Sequence, residues 1–299
     1  MKYYSNGKIL LTGEYVVLDG AKALALPTRF GQSLEVREGD QPGIMWTAFD
    51  HDDSVWIERH YSFEELESGM ADPQDRLLQV LRAAHAMNSD ILTPDSSFSV
   101  TTRLTFPHFW GLGTSSTLLC NVASWFEIDP YALLEKTFGG SGYDIACGLH
   151  DRPLLYRLEY GLPTVEEVSF SPSFAGDLYF VYLNRKQDSR EAISAYRRQP
   201  LSNINEILLE IDDCTRAMLE APSREAFTSA LRRHETVLST ILQTLPVKER
   251  LFADYNGDIK SLGGWGGDFV LAVSETNPEA YFSSKGYRTV IPYERFIKR

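Results

Sequence analysis

Three groups of residues in this chain could do chemistry, and each sits beside glycine. The first is Pro107-His108-Phe109-Trp110-Gly111-Leu112-Gly113-Thr114-Ser115-Ser116-Thr117, with two glycines two apart and four consecutive hydroxyl residues. Glycine lets a backbone turn tightly and approach a ligand, and the first N–H groups of a helix have no partner inside it. With the positive end of the helix dipole, those donors make a seat for phosphate. An ordinary strand-to-helix turn capped by Ser or Thr carries the same letters, so the stretch alone leaves both readings open. The second group is Lys8 and Glu14, set among short apolar runs broken by Gly7, Gly13 and the Asp19-Gly20 turn. They read as surface charges at strand ends or as site groups. The third is Asp144, which follows Gly139-Gly140-Ser141-Gly142-Tyr143 and leads into an apolar helix. It is a helix cap or a positioned catalytic carboxylate. A hydrolase nucleophile elbow needs Gly where Tyr143 stands, so that motif is absent.

Two further stretches belong with these. Arg185, Lys186 and Arg190 gather three cations beside a helix start. They form an exposed charged turn or a seat for an anionic substrate group. Gly263-Gly264-Trp265-Gly266-Gly267 places four glycines in five positions between two strand-like runs, which forces a tight irregular turn. His234 lies on a helical stretch and reads as a surface or boundary residue. Cys120, Cys147 and Cys214 are far apart, with no spacing suited to zinc, and read as buried free thiols.

The elements that must position these groups follow from periodicity. Strand-like runs cover Ala23 to Leu26, Gln32 to Val36 and Phe98 to Phe106, the last ending at Pro107. Ile44 to Phe49 and Val55 to Tyr61 are further strand-like runs. Gly39 to Asp53 is acidic and turn-rich and reads as a solvated hairpin or loop. Arg76 to Met87 has helical spacing, and a helix from about Ser115 is apolar nearly all round from Leu118 to Phe126. Asp129 caps a helix opened by Pro130 that contains Glu135 and stops near Gly139. Strands at Leu154 to Leu158, Thr164 to Phe170 and Leu178 to Leu183 follow. Helical stretches begin at Glu191, Ser202 and Ser223, and a helix (Pro278 to Lys285) and a strand (Arg288 to Ile291) end the chain. The Pro163 and Pro172 regions suggest domains of 1–165 and 166–299.

The chain of 299 residues is long enough for two modest domains. Its 41 acidic residues against 29 Lys and Arg give a net charge of −12. A field of that sign disfavours nucleic acid and anionic membranes as partners. Three unpaired cysteines, a polar start and no apolar run of membrane-spanning length lead to the expectation of a cytoplasmic protein.

The three glycine-rich segments together resemble the GHMP kinase superfamily. Pro107, Gly111, Leu112, Gly113 and Ser115 fit the form P-x-x-x-G-L-G-S-S-A-A. Gly7 to Gly20 looks like the first motif and Leu262 to Asp268 like the third. Gly139 to Ala146 resembles a G-S-G-(F/Y)-D-(V/I)-A segment of the isoprenoid branch, the phosphomevalonate and mevalonate kinases, and its Gly-Tyr-Asp-Ile-Ala string marks a distinct subgroup. The resemblance implies an α+β, two-domain fold, with an N-terminal domain like ribosomal protein S5 domain 2 and a ferredoxin-like C-terminal α/β domain. It implies transfer of the γ-phosphoryl group of ATP to a hydroxyl or phosphate of a small acid, mevalonate or phosphomevalonate foremost. Asp144 would be general base or orienting carboxylate, with Lys8 paired to it and stabilising the transferred group. Backbone N–H groups of Gly111, Leu112, Gly113, Thr114, Ser115 and Ser116 would cradle the phosphates. Ser115 and Glu135 would hold Mg²⁺. Glu14, Tyr15, Ser141, Gly142, Gly264, Trp265, Gly266 and the three cations would face the substrate. The partner implied is a small molecule, with no nucleic acid and no membrane, and a homodimer is admitted. A diphosphomevalonate decarboxylase-like enzyme and a non-catalytic relative that kept the fold are the alternatives.

The chain departs from the pattern at four places. Asn6 stands where Pro is usual. Thr114, Ser116 and Thr117 replace Ser, Ala and Ala, a change expected to keep the helix cap but crowd the helix start. Trp265 interrupts the third glycine loop, where it could narrow the substrate mouth. Between Glu135 and Asp144 there are two residues fewer than in mevalonate kinases, so another loop carboxylate or water is the alternative to Glu135.

Overall fold

The computed structural model describes residues 1–68, 75–185, 193–194, 196–198, 203–265 and 267–298. It divides into two compact units. The first comprises Met1–Gly7, Phe30–His108 and Leu112–Leu149; the second comprises Lys8–Arg29, Phe109–Gly111 and His150–Arg299. Strands β1 (Lys2–Leu10) and β2 (Ala23–Glu38) begin in one unit's segment and end in the other's.

In the first unit, β3 (Gly43–Phe49) and β4 (Val55–Tyr61) form an antiparallel hairpin with an irregularity at Ala48/Phe49. Two helices follow, α1 (Phe63–Glu67) and α2 (Arg76–Met87). A capping box joins Ser62 and Glu65 at the first, and the Asp75 carboxylate takes the Leu78 N–H at the second. Strand β5 (Ser97–Leu104) lies between β3, to which it is parallel, and the C-terminal part of β2, to which it is antiparallel. Against this sheet pack α2, α3 (Thr114–Phe126), α4 (Pro130–Thr137) and α5 (Tyr143–Leu149). Leu34, Ile44, Trp46 and Val100 from the sheet meet Leu81, Ala84, Leu119 and Val122 from the helices in one core. Asp129 caps α4 through the N–H groups of Tyr131 and Ala132, with Pro130 in the first turn, as the sequence predicts.

The second unit pairs the start of β2 with β6 (Leu154–Glu159), and β6 with β7 (Leu162–Glu167). Tyr160 and Gly161, both at positive φ, form the two-residue turn between β6 and β7, the geometry that matches strand twist. That tight turn starts β7 earlier than predicted and ends it at Glu167, leaving Phe170 beyond the strand and buried against Tyr293 and Phe227. Strand β8 (Leu178–Tyr182) precedes two long helices, α6 (Ile204–Leu219) and α7 (Arg224–Leu242), which pack together. After α8 (Val247–Leu251) come β9 (Asp258–Ser261), β10 (Phe269–Val273), α9 (Glu279–Ser284), β11 (Val290–Pro292) and α10 (Tyr293–Phe296). Strands β11, β8, β10 and β9 make a four-stranded antiparallel sheet in that order.

The fold is α+β. The strand-like runs Ile44 to Phe49 and Val55 to Tyr61 are the two arms of the β3–β4 hairpin, and only the solvated reading is corrected: Ile44, Trp46 and Ala48 alternate into the core, because period-two burial overrides the acidic composition around them. All three cysteines are free and buried. Among the described residues, no helix is long and apolar enough to cross a membrane.

Candidate active site

The first unit carries the helix that the hydroxyl run predicts, but not its cap. The N-cap of α3 is Gly113, at φ 95°, and it makes no side-chain cap bond. The hydroxyls point elsewhere. Thr114 Oγ1 donates to the His108 carbonyl at 3.3 Å, Ser116 Oγ to the Gly113 carbonyl at 3.0 Å and Thr117 Oγ1 to Gln32 Oε1 at 2.9 Å. The expectation that these residues preserve the cap is therefore corrected. Three hydroxyls satisfy oxygen acceptors, and Ser115 is exposed. An uncapped helix start of thirteen residues is a donor array that fits an anionic oxygen.

The approach to this helix is held by a carboxylate outside the predicted site. Asp50, buried, accepts from the His108 N–H at 3.1 Å, from His108 Nδ1 at 2.7 Å and from the His51 N–H at 2.7 Å. Burial would raise its pKa, but these hydrogen bonds outweigh burial and hold it below the ordinary carboxylate value. The His108 ring in turn stacks on Trp56, with centroids 5.4 Å apart. Nothing in the turn-rich context of Asp50 distinguishes it in sequence from a solvated loop acid.

Asp144 lies in the first turn of α5, half-buried, with Oδ1 accepting from the Ile145 N–H at 3.1 Å. Its helix is packed tightly on α3. A Cβ on Gly148 would come within 2.7 Å of Cys120 Sγ, and that sulfur lies 3.7 Å from the Ile145 carbonyl. Burial, with the charge of Asp144 added, pushes the Cys120 thiol up. Ser141 is half-buried and Gly142 is buried, at φ 82°. Glu135 is an exposed carboxylate on α4. A hydroxyl and a carboxylate, as at Ser115 and Glu135, are oxygen donors of the hard kind that Mg²⁺ takes.

The second unit brings together three glycine segments that are far apart in sequence. Lys8 Nζ donates to the Gly111 carbonyl at 2.9 Å. Gly111 has φ 70°, and a Cβ there would lie 2.4 Å from the Asp268 carboxylate; a Cβ on Gly263 would lie 3.6 Å from Asp268 Oδ2. The Asp268 N–H donates to the Arg185 carbonyl at 2.5 Å, and Asp268 itself sits at φ 55°. Phe109 and Trp110 are anchored by Tyr182, whose hydroxyl donates to the Phe109 carbonyl at 3.3 Å. Asp268 closes the third glycine-rich motif, and its position directly after the glycine run is the one mark of it in the sequence.

The remaining predicted residues fall as follows. Arg185 is exposed, and Gly264 is half-buried. Trp265 is 3% exposed and packs with Val16, Ile211, Leu238 and Ile241, while its carbonyl accepts from Arg250. Tyr15 is half-buried at φ 65°, its ring 5.6 Å from that of Tyr196. Glu14 is 1% exposed, so reading it as a strand-end surface charge is corrected. His234 is fully buried, not a surface or boundary residue, because α7 turns it toward Gly13 and Glu14. Lys186, Arg190 and Gly266 lie outside the described residues, as do the starts predicted at Glu191 and Ser202.

No family model matches the chain, and no curated protein sequence matches it. Solved structures do. Mevalonate kinase from Methanococcus jannaschii aligns at TM-score 0.70 and 17% identity, over 97% of this chain and 96% of that one. The Streptococcus pneumoniae phosphomevalonate kinase complex with phosphomevalonate and AMPPNP aligns at TM-score 0.70 and 14% identity, over 97% and 99%. Lactococcus lactis galactokinase with galactose aligns at 0.68 and 14%, over 95% and 88%. At such identities the likeness concerns architecture, and it extends over nearly the whole chain: the fold is the two-domain α+β fold of the GHMP kinases.

Proposed function

We propose that the protein is an ATP-dependent small-molecule kinase acting on a hydroxyl or phosphate of a small acid of the mevalonate or phosphomevalonate kind. The observation that carries this reading is the uncapped start of α3 behind Gly111 and Gly113. A phosphate chain needs a row of backbone donors at a positive helix end, and the hydroxyls that could have capped it are turned to oxygen acceptors. Two of the fold's solved representatives support the acceptor class, and one of them holds AMPPNP.

Phosphoryl transfer asks for positioning and charge neutralisation rather than covalent help. In this reading the N–H groups from Gly111 to Ser116 hold the phosphates, and Lys8 supplies positive charge to the transferred group. Asp144 takes or orients the proton of the acceptor hydroxyl. Tyr15, Ser141, Gly142 and the basic turn at Arg185 face the acceptor. Ser115 and Glu135 are the residues that would hold Mg²⁺, which when bound neutralises phosphate charge. The test is ADP release from ATP with mevalonate, phosphomevalonate, homoserine and hexoses as acceptors. Turnover is expected with one of the first two, and Asp144→Asn should lower kcat by at least about 100-fold, in the range of a lost general base. Absence of turnover across the panel would overturn the reading.

A further inference from the structure

The second unit buries four ionisable side chains in one cluster that the proposed reaction does not use. Lys260, on β9, is fully buried; its Nζ donates to Glu14 Oε1 at 2.6 Å and lies 3.5 Å from Glu235 Oε1. Glu235 Oε2 accepts from both the N–H (3.1 Å) and the hydroxyl (2.7 Å) of Ser261. His234, beside it on α7, accepts the Gly13 N–H at Nε2 (3.0 Å), and that nitrogen is 3.5 Å from Glu14 Oε2.

Charge favours a proton here, and the geometry gives it a place. One ammonium between two carboxylates leaves a net charge of −1 in the interior when all are ionised, and an uncompensated buried charge is strongly disfavoured. Because His234 Nε2 is an acceptor toward Gly13, its ring proton sits on Nδ1. Nε2 therefore has no proton to give Glu14 Oε2, which, like Glu235 Oε1 and His234 Nδ1, has no hydrogen-bond partner among the described residues. A proton on Oε2 removes that lone-pair opposition and neutralises the cluster.

We propose that Glu14, Lys260, Glu235 and His234 form a buried proton-holding lock that positions the Gly13–Val17 turn, and with it Tyr15, and that loses its grip when the proton leaves. These are positioning residues. The turn they hold has little slack: a Cβ on Gly13 would come within 2.9 Å of Ala23 Cβ and of the Lys22 carbonyl, and Tyr15 is held at a positive φ of 65°. The Gly13 carbonyl accepts from the Val17 N–H at 2.9 Å, so displacing Gly13 displaces the turn. An outlet exists as well, since Glu235 lines a cavity of about 450 Å³ with Leu231, Pro246, Lys248 and Ile259.

The surrounding groups leave the titration to the two carboxylates. Burial, opposed by Lys260, pushes Glu14 up to about 7, and Glu235 is raised by burial too. Burial and the Lys260 charge push His234 well below its ordinary value, keeping it neutral. Cys214, on α6, is pushed up to about 11 by burial. Arg233 is engaged at the surface by Glu210 and Asp213. A carboxyl raised in the folded state stabilises the fold fully below its unfolded value, and this contribution is lost as pH rises through the folded one. For Glu14 the window runs from 4.5 to about 7.

Melting temperature and hydrogen-exchange protection of the Gly13–Leu18 amides, each measured from pH 5 to 8.5, test the lock. The wild type should lose melting temperature as pH rises, and protection of the turn should fall tenfold or more once intrinsic exchange rates are divided out. Glu14→Gln, neutral at every pH, should flatten both profiles. Glu235→Gln should flatten them too, by leaving one carboxylate to one ammonium, and it answers the question if the first variant does not fold. Flat wild-type profiles, or wild-type slopes in either variant, would overturn the lock. Its link to the acceptor rests on the proposed kinase reading. The acceptor KM should rise with pH in the wild type more than in the variants. Absent turnover defeats the kinase reading and leaves the melting and exchange results standing, whereas turnover with an acceptor KM independent of pH defeats the link alone.

Discussion

Gly111 is the residue at which the arrangement can be tested most sharply. Its backbone is left-handed and its missing Cβ would overlap the Asp268 carboxylate at 2.4 Å. Gly139 shares the left-handed backbone, at φ 63°, but among the described residues nothing lies within 4 Å of its Cβ position. Both substitutions to Ala carry the backbone penalty of about 1 kcal/mol or more for an L-residue there. Only Gly111→Ala also moves the Gly111–Asp268 contact and the carbonyl that Lys8 holds. It should raise the KM for ATP about tenfold or more, equivalent to about 1.4 kcal/mol, while Gly139→Ala should lower stability without changing that KM. Equal KM values in the two variants would show that Gly111 serves the fold alone. At this scale the sequence was legible in part. Lys8, Gly111 and the third glycine run were singled out from 103 and more residues apart, and the structure joins them. Asp50 and Lys260 were not, because a buried acid in an acidic loop and a lysine in a short strand carry no local mark of burial. The partners that decide their roles, His108 and Glu14, lie 58 and 246 residues away.

At the scale of elements, the relation of α3 to α5 matters most, since one begins at the proposed phosphate seat and the other carries Asp144. The two helices touch at Gly148 and Cys120. Alanine is favoured over glycine inside a helix by up to about 1 kcal/mol. Here the new Cβ would meet Cys120 Sγ at 2.7 Å, and overpacking of a dense core costs about 1–3 kcal/mol. The clash wins. Gly148→Ala should therefore shift the denaturation midpoint downward, and Cys120→Ala in the same chain should restore much of the loss by removing the sulfur. Failure of the second change to rescue the first would place the helix contact elsewhere. Periodicity revealed α2 and the cap letters Asp129-Pro130 revealed α4, while the Asp75 cap of α2 is seen only in the structure. What they could not reveal was the cap of α3. Four hydroxyl residues in a row resemble a cap, and only the neighbours at His108, Gln32 and the Gly113 carbonyl show that three of them are already engaged.

At the scale of the whole molecule, the buried thiols report on each unit separately. Cys120 and Cys147 lie in the first unit, on α3 and α5, and Cys214 lies in the second, on α6. A thiol reacts as thiolate and only when exposed. Burial removes access, and it also pushes the thiols of Cys120 and Cys214 up, so labelling of the native protein should proceed only through opening of the unit concerned. A nucleotide seated at the start of α3 must be released before α3 opens. At a concentration 100 times its Kd it stabilises the closed form by about 2.7 kcal/mol, which slows labelling through that opening about 100-fold. AMPPNP should therefore protect Cys120 and Cys147 by about that factor, read by mass spectrometry of the labelled peptides over time. Protection of Cys214 then becomes a measure of how far opening of the second unit depends on the same nucleotide. Labelling of Cys120 and Cys147 unchanged by a nucleotide shown to bind would move its phosphates away from the Gly111–Ser116 loop, whatever the fold of the chain around it.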